Sequence, residues 1–244
     1  MNRLFHLLVF ALVLSIVGAP ALHARGPIKP KANVEESGSA RLAKLLSAMK
    51  AEQEKVHTLT ADFKEEKISQ LLAKPSVSHG RFSYEAPDKV RWEYEKPNPI
   101  TLVIQGDQMT TWFRDLGRAD RVKVSRYSRR VLQYMGAGVS VNRLLSYFEV
   151  ALWQPGGKDQ DFRLDLIPRY ERLRKHLKSM TVWIDNRSLL MTRLGYEEPD
   201  GDRTQYDLSN IVVNQPIPAD RFVVKLPPGV QVRQVDLDAS PGAL

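Results

Sequence analysis

Side chains that could catalyse a reaction are few in this chain, and their spacing does not suit catalysis. Cysteine is absent from all 244 residues, which excludes thiol nucleophiles, thiolate metal ligands and disulfide bonds. Three of the five histidines, His57, His79 and His176, lie beyond the first 24 residues, and none stands at metal-ligand spacing from another. We therefore expect surface or turn histidines, with no metal and no cofactor bound.

The acidic residues are equally weak candidates for acid–base chemistry. Glu65–Glu66 and Glu197–Glu198 are adjacent pairs on predicted strands, so the two side chains of each pair should diverge, most simply onto solvated faces. Asp115, Asp120 and Asp200–Asp202 lie in predicted turns, where aspartate is common for backbone reasons. Motifs for a nucleophile elbow, a zinc protease or a phosphate loop are missing. The sequence predicts a binding protein with no catalytic residue.

The N terminus has the pattern of a secretory signal. Arg3 precedes an apolar run over residues 4–19, and small residues suited to cleavage follow up to Ala24. We expect residues 1–24 to be a cleaved signal peptide, with an uncleaved anchor as the alternative. A disulfide-free domain of this size suits the periplasm, because it can build its own core.

Charge is the next indication of a partner. Lysine and arginine total 36 against 28 acidic residues, an excess that suits an anionic surface or an acidic partner but is also ordinary for a soluble protein. On the strands, basic and aromatic residues fall on opposite faces, which argues against a nucleic-acid site, where the two share a surface.

The elements that position these residues begin after a flexible leader, predicted over residues 25–39. From Ala40 an amphipathic helix of about four turns is predicted, and its apolar stripe needs a covering partner. The stripe consists of Leu42, Leu45, Leu46, Met49 and Val56.

A pair of aromatic strands, Gly80–Pro97, is the natural partner of that stripe. Alternation places Phe82 and Tyr84 on one face, together with Val90, Trp92 and Tyr94 from the second strand. Nine or ten strands are predicted in all, including Met109–Phe113 after a tight turn at Gly106 and Phe222–Lys225 near the end.

A helical region, Ser125–Leu152, interrupts the strands. The fold class is therefore mainly β (α+β), a curved antiparallel sheet forming an incomplete β-barrel, with the N-terminal helix and a helical lid over an apolar cavity. The domain is predicted over residues 40–233 and a C-terminal tail over 234–244. The predicted lid residues are Leu132, Met135, Leu144, Leu145 and Phe148.

These motifs, in this order, resemble the LolA family of periplasmic lipoprotein carriers. The resemblance spans about Ala40 to Val232. It is carried by Leu59–Phe63 after the helix, by Gly80-x-Phe-x-Tyr-x-x-Pro87, by Val90–Arg91–Trp92 with Pro97, by the hairpin Leu102–Phe113 with Gly106 at its turn, and by Phe222–Val230, which resembles the family's closing strand and turn.

The resemblance implies a carrier that binds acyl chains of lipoproteins in an apolar cavity and delivers them to the outer membrane. It also implies an inner-membrane releasing transporter and an outer-membrane acceptor as partners of a monomeric carrier. The lipid-binding cavity is then expected to be lined by Phe82, Tyr84, Val90, Trp92, Tyr94 and Trp112.

One position departs from the family pattern. Ala86 stands where the family's well-known carrier has an arginine that is linked to lid closure, and strand parity turns Arg81 and Arg91 away from the cavity. Lid closure by apolar packing alone, or a different hand-off partner, would follow.

Three alternatives therefore stay open beside lipoprotein transport. They are a carrier of another lipid or glycolipid, a lipid-sensing regulatory domain of the same fold, and a lipid-modifying enzyme.

Overall fold

The computed structural model describes residues 34–69, 74–123, 145–153 and 160–235. Their strands form one curved, open sheet in the order β12-β6-β5-β4-β3-β2-β1-β11-β10-β9-β8-β7. The strands are β1 Thr58–Ile68, β2 Ser76–Glu85, β3 Lys89–Lys96, β4 Ile100–Gln105, β5 Gln108–Phe113, β6 Arg118–Lys123, β7 Phe148–Trp153, β8 Phe162–Pro168, β9 Ser179–Ile184, β10 Met191–Glu197, β11 Arg203–Val213 and β12 Gln231–Val235.

Two antiparallel meanders build this sheet and join where β1 pairs with β11. One runs from β1 to β6 and the other from β7 to β11; every pairing is antiparallel except that of β12 with β6. The predicted mainly β, incompletely closed barrel is confirmed. It has twelve strands in the described part of the chain rather than nine or ten.

The N-terminal helix α1, Val34–Gln53, packs on one face of the sheet, which we call the inner face. Leu45 and Leu46 are buried in the same core as Phe63, while Leu42 and Met49 are partly buried against it. The predicted stripe is thus confirmed for these four residues. The helix begins six residues before the predicted start, within the predicted leader. Val56 lies beyond its end but is buried.

The opposite, outer face is partly covered by the chain after β11. A 3-10 helix, Ala219–Phe222, packs over β3 and β4 and buries Phe222 completely. The predicted strand Phe222–Lys225 is therefore wrong, because this segment uses its large apolar residue to cover a sheet face instead of pairing at an edge. The sheet edge is occupied by β12, which lies beside β6.

One further element differs from the sequence prediction. Phe148 lies in the predicted helical region but begins β7, because alternating Phe148, Val150 and Leu152 face the core while the intervening residues face away. Between β8 and β9 the chain forms the short helix α2, Glu171–Arg174, and buries Leu173 and Leu177. Among the described residues, no helix has the length and apolar character needed to cross a membrane.

Candidate functional site

An aromatic wall occupies the centre of the inner face, on strands β1, β2, β3 and β11. Phe63 lies in the middle, with ring centroids 4.9 Å from Tyr94, 5.1 Å from Trp92 and 6.2 Å from Tyr206. Phe82 packs 4.9 Å from Trp92 with its ring edge-on. Such tilted and edge-to-face pairs are favourable, so the wall is a preorganised apolar surface. It consists of Phe63, Phe82, Trp92, Tyr94 and Tyr206.

Gly80 makes the close packing of this wall possible. It pairs with both Phe63 and Tyr94 across the neighbouring strands. A Cβ atom at this position would collide with the Glu93 carbonyl oxygen and would lie 2.5 Å from Phe63 Cζ. The absence of a side chain at position 80 leaves room for the Phe63 ring, which contacts both Trp92 and Tyr94.

The two tyrosines of the wall carry its polar atoms. The hydroxyls of Tyr94 and Tyr206 are 3.3 Å apart. Burial raises both pKa values well above the ordinary tyrosine value, and the nearby charge of Glu65 raises them further. Both phenols therefore remain neutral, so the wall carries no charge of its own.

Five of the six predicted cavity residues lie together on the inner face. Phe82, Tyr84, Val90, Trp92 and Tyr94 are all buried in one apolar cluster.

The sixth, Trp112, was predicted on the wrong face. It pairs with Thr101 and Ala119, whereas the inner-face positions of β4 and β5 are Ile100, Leu102, Ile104, Met109 and Phe113. Thr111, opposite Leu102, takes the inward position of β5, so the next residue, Trp112, faces outward.

The predicted lid is only partly within the described residues. Leu132, Met135 and Leu144 lie outside them. Leu145 is 37% exposed, and Phe148 is buried in β7 within the same cluster as the wall. A lid role for these residues remains a prediction.

Sequence reasoning did not single out Phe63 and Tyr206 as wall residues. Phe63 faces inward one strand away from Gly80, and Tyr206 comes from β11, far away in the chain. The alternation Thr204, Tyr206, Leu208 is the signal that could have found Tyr206. The pairing of β1 with β11, which brings both residues to the wall, is not visible in the sequence.

The outer face behind the wall carries an arginine cluster around Glu93. Arg91 and Arg114 approach one carboxylate oxygen at 2.8 Å each, and Arg221 approaches the other at 3.0 Å. Hydrogen bonding from Arg91, helped by the charges of the arginines, lowers the pKa of Glu93 to about 2. Because Arg221 belongs to the 3-10 helix of the C-terminal segment, this cluster ties that segment to β3. Arg91 thus points away from the inner face, as strand parity predicts.

Arg81 also lies on the outer face, where it pairs with Glu95 at 3.3 Å. Within the described residues, no group of three acidic or histidine side chains is arranged to hold a metal ion. The inner face therefore offers apolar surface bounded by neutral hydroxyls, an arrangement suited to binding hydrocarbon.

Comparison with known families gives a match over most of the chain. Residues 54–225 match the family described as outer membrane lipoprotein carrier protein LolA. An outer-membrane lipoprotein carrier protein of Pseudomonas fluorescens is 25% identical over 208 residues, covering 83% of this chain and 91% of the relative. One of Chromohalobacter salexigens is 26% identical over 201 residues, covering 82% and 89%.

Among solved structures, MucB is similar in fold. Its crystal structure aligns with a TM-score of 0.51 at 12% identity, covering 80% of this chain and 66% of MucB. At this identity the likeness concerns the fold alone.

Proposed function

Because the chain belongs to the LolA family of outer membrane lipoprotein carrier proteins, we propose that it binds the acyl chains of lipoproteins against its aromatic wall. In this proposal it is an exported, monomeric periplasmic carrier and not an enzyme. It receives cargo from an inner-membrane transporter and delivers it to an outer-membrane acceptor. The observation that supports this most directly is the wall itself, an apolar surface of five aromatic side chains on the inner face of an open sheet.

The competing interpretation of the wall is an ordinary protein core. Cores are filled more often by leucine, isoleucine and valine, whose rotamers are well defined. Here Trp92 and Tyr206 meet at 5.9 Å almost at right angles, and Met49 and Met109 pack at the margin of the same cluster. Flat rings and flexible methionines adapt to chains of differing length, which favours a binding surface over a fixed core.

Because the cargo must be released, the affinity of the wall for acyl chains has an upper limit. Burying an acyl chain is worth about 0.8 kcal/mol per methylene, so a rigid empty pocket would hold long chains almost irreversibly. Helix α1 already places Leu45 and Leu46 in the apolar cluster that contains the wall. A ligand that displaces part of this packing binds with correspondingly lower net affinity, and the cargo can then pass onward.

One residue linked to lid closure and cargo transfer differs from the family pattern. Ala86 stands where the resemblance leads us to expect an arginine, and it is only partly buried against the core. No cation at this position can pair with the lid, so we propose that apolar contacts alone govern closure. The acceptor then competes for acyl chains rather than breaking an ion pair.

Native mass spectrometry of protein purified from the periplasm tests the proposal. We expect a population that carries a lipoprotein through its acyl chains and that loses this cargo on delipidation. Co-purification of a glycolipid or another free lipid would favour a carrier of a different amphiphile. Protein that binds no lipid from cells or from vesicles would contradict the proposal.

A matched pair of tryptophan variants locates the binding surface. Trp92→Ala removes the centre of the wall and should reduce the lipid-bound fraction at least several-fold, because each aromatic contributes a large share of the contact area. Trp153→Ala removes a tryptophan that is 52% exposed on the outer face and should leave the bound fraction unchanged. Circular dichroism of both variants checks that the sheet is retained.

A further inference from the structure

A row of paired residues leads along the inner face from the aromatic wall towards the β12 edge of the sheet. Phe63 of the wall pairs with Gly80, and Gly80 pairs with Tyr94. The row continues through Ile100 of β4 and Phe113 of β5, which are buried in the same apolar cluster as the wall. Neighbouring strands lie about 4.8 Å apart, so Phe113 is about 10 Å beyond Tyr94 along the sheet. The row therefore extends the apolar surface of the wall.

The next residue of this row is a cation, Arg118 of β6. Arg118 pairs with Phe113, and its guanidinium carbon lies 4.9 Å from the centre of the Phe113 ring, so both side chains are on the inner face. The Arg118 side chain is 29% exposed. Water and salt screen a partly buried charge less than a fully exposed one. The apolar row thus leads directly to a positive charge that is partly shielded from solvent.

Two further charged side chains accompany Arg118 at this edge. Asp120, which the sequence suggested in a turn, lies in β6 and is almost fully buried. Arg233 of β12 donates hydrogen bonds to both of its carboxylate oxygens, at 2.8 Å and 3.0 Å. Arg118 Nε lies 3.4 Å from one of the same oxygens. We call Arg118, Asp120 and Arg233 the edge cluster.

The edge cluster carries one more positive than negative charge. Its single carboxylate, Asp120, is held by Arg233 in the two-bond geometry that suits a guanidinium best. Within the described parts of the chain, no second carboxylate forms an ion pair with Arg118 or Arg233, and the Arg118 guanidinium makes no hydrogen bond. One carboxylate cannot neutralise two arginines, so a positive charge remains at the end of the apolar row.

The chemistry of Arg118 indicates which ligand would complete the edge cluster. A guanidinium presents its N–H groups in a plane and binds phosphate or carboxylate through two parallel hydrogen bonds. The ion pair with Asp120 engages the Nε side of the Arg118 guanidinium, which leaves the terminal N–H groups for a second oxyanion. An oxyanion attached to an acyl chain fits best, because the chain would then lie on the row that begins at Phe113.

We propose that Arg118 binds a phosphate or carboxylate group of the bound amphiphile while an acyl chain lies along the row towards the aromatic wall. Asp120 holds Arg118 in place, and Arg233 in turn holds Asp120. The inference rests on the proposed function, because it needs acyl chains to occupy the inner face. The oxyanion belongs either to the phosphate of a phospholipid or to an acidic residue beside the lipid-modified end of a peptide.

Two pairs of probes separate these sources, with binding measured by native mass spectrometry. Dioleoyl-phosphatidylglycerol is compared with dioleoylglycerol, which has the same acyl chains and no phosphate. A diacylated lipopeptide with aspartate after the modified residue is compared with the same lipopeptide carrying asparagine there. We expect the anionic member of at least one pair to bind about tenfold more tightly, as a charge-assisted hydrogen bond implies. Preference within the first pair identifies a phospholipid, and preference within the second identifies an acidic lipopeptide.

Arg118→Gln tests the residue that carries the argument. It should reduce the preference for the anionic probe to within about threefold of unity, whereas Arg118→Lys, which keeps the charge, should retain the larger part of the preference. Arg121→Gln is the matched control. It removes the same charge from the same strand, but Arg121 pairs with Thr110 on the outer face, so the preference should stay unchanged. Circular dichroism of all three variants checks that the sheet is retained.

The outcomes separate the two proposals. Equal binding within both pairs, or a preference that survives in Arg118→Gln, would overturn the oxyanion site while leaving acyl-chain binding intact. An equal loss of preference in Arg121→Gln would overturn it too, because net charge rather than position would then explain the effect. Failure of every probe to bind the wild-type protein would instead contradict the proposed function, and the oxyanion site with it.

Discussion

Glu93 shows how single side chains on the outer face support the wall behind them. Its neighbours in β3, Trp92 and Tyr94, belong to the wall, while its own carboxylate receives Arg91, Arg114 and Arg221. The carboxylate is 13% exposed, so its ion pairs are less screened than those at the surface. β3 is thus held from both faces, by aromatic packing on one side and by charge on the other.

The lowered pKa of Glu93 predicts how the contribution of this carboxylate to the free energy of unfolding depends on pH. The folded-state pKa of Glu93 is about 2, below the ordinary value of 4.5. Its contribution is therefore fully present above about pH 4.5 and is lost as the pH falls towards 2. Glu93→Gln should lower the free energy of unfolding by about 2 kcal/mol at pH 7, less than the ~3 kcal/mol equivalent of the shift because Arg114 is partly solvated.

Denaturant unfolding of Glu93→Gln and the wild-type protein between pH 7 and pH 2.5 measures this effect. The gap between the two should narrow steadily below pH 4.5. A gap that stays constant over this range would show that the carboxylate charge does not stabilise the fold.

Two glycines of the sheet, Gly80 in β2 and Gly195 in β10, give opposite expectations for the same substitution. Gly80→Ala places a methyl group against the Glu93 carbonyl oxygen and the Phe63 ring. The carbonyl belongs to the backbone of the paired strand β3, so it cannot move aside without disturbing the sheet. We expect a loss of at least about 2 kcal/mol of unfolding free energy. Gly195→Ala, with its nearest neighbours at 3.7 Å and 3.9 Å, should change stability by less than about 1 kcal/mol. Equal losses in thermal unfolding would refute this account of the wall.

The sequence predicted inner-face residues correctly where polar and apolar residues alternate regularly along a strand. Phe82, Tyr84, Val90, Trp92 and Tyr94 were placed correctly because polar residues separate them and pairing preserves the alternation across β2 and β3. Trp112 was expected in the cavity from the family resemblance, but the inward positions of β5 belong to Met109, Thr111 and Phe113, so Trp112 faces outward.

Helix α1 links the stability of the protein to its affinity for lipid. Leu46 is almost fully buried in the cluster that contains the wall, whereas Lys44 of the same helix is exposed. Leu46→Ala should cost 2–4 kcal/mol of unfolding free energy, about the usual cost of truncating a buried leucine. It should also raise the affinity for acyl chains, because less helix packing competes with the ligand.

The control for this prediction is Lys44→Ala, which should alter neither stability nor affinity. Titration with a dioleoyl lipid, alongside denaturant unfolding, provides both readouts. A Leu46→Ala protein whose lipid affinity falls together with its stability would show that α1 forms part of the binding site rather than competing with the ligand.

Helices, strands and turns were predicted well where the pattern that indicates them lies within a few consecutive residues. The stripe of α1 and the turn at Gly106, which has a φ of +61°, follow from spacing and from glycine. The structure of the segment after β11 could not be predicted from spacing, because its apolar residues suit a strand or a covering loop equally well. Phe222 covers the outer face of β3 and β4, and β12 pairs in parallel with β6, through contacts between segments more than 100 residues apart.

The molecule as a whole is an open sheet with two differently used faces. The inner face holds the aromatic wall and helix α1, and the outer face holds the arginine cluster and the C-terminal segment. In the described residues the sheet ends at β7 and β12 rather than closing on itself. An open sheet of this kind can admit a ligand between the wall and its helical cover without breaking any strand pairing.

The positions of the four tryptophans allow the central claim to be tested directly. All four lie within the described residues; Trp92 faces inward, while Trp112, Trp153 and Trp183 lie on the outer face. Replacing the three outer tryptophans by phenylalanine leaves Trp92 as the only indole. A second protein that retains Trp183 alone serves as the control.

Quenching of these single tryptophans by a lipid with brominated acyl chains is the decisive measurement, because bromine quenches indole fluorescence only near contact. Acyl chains that lie along the aromatic wall should quench Trp92 strongly and Trp183 weakly, and the unbrominated lipid should quench neither. If the brominated lipid binds but leaves Trp92 unquenched, or quenches both tryptophans equally, the aromatic wall is not the acyl-chain site.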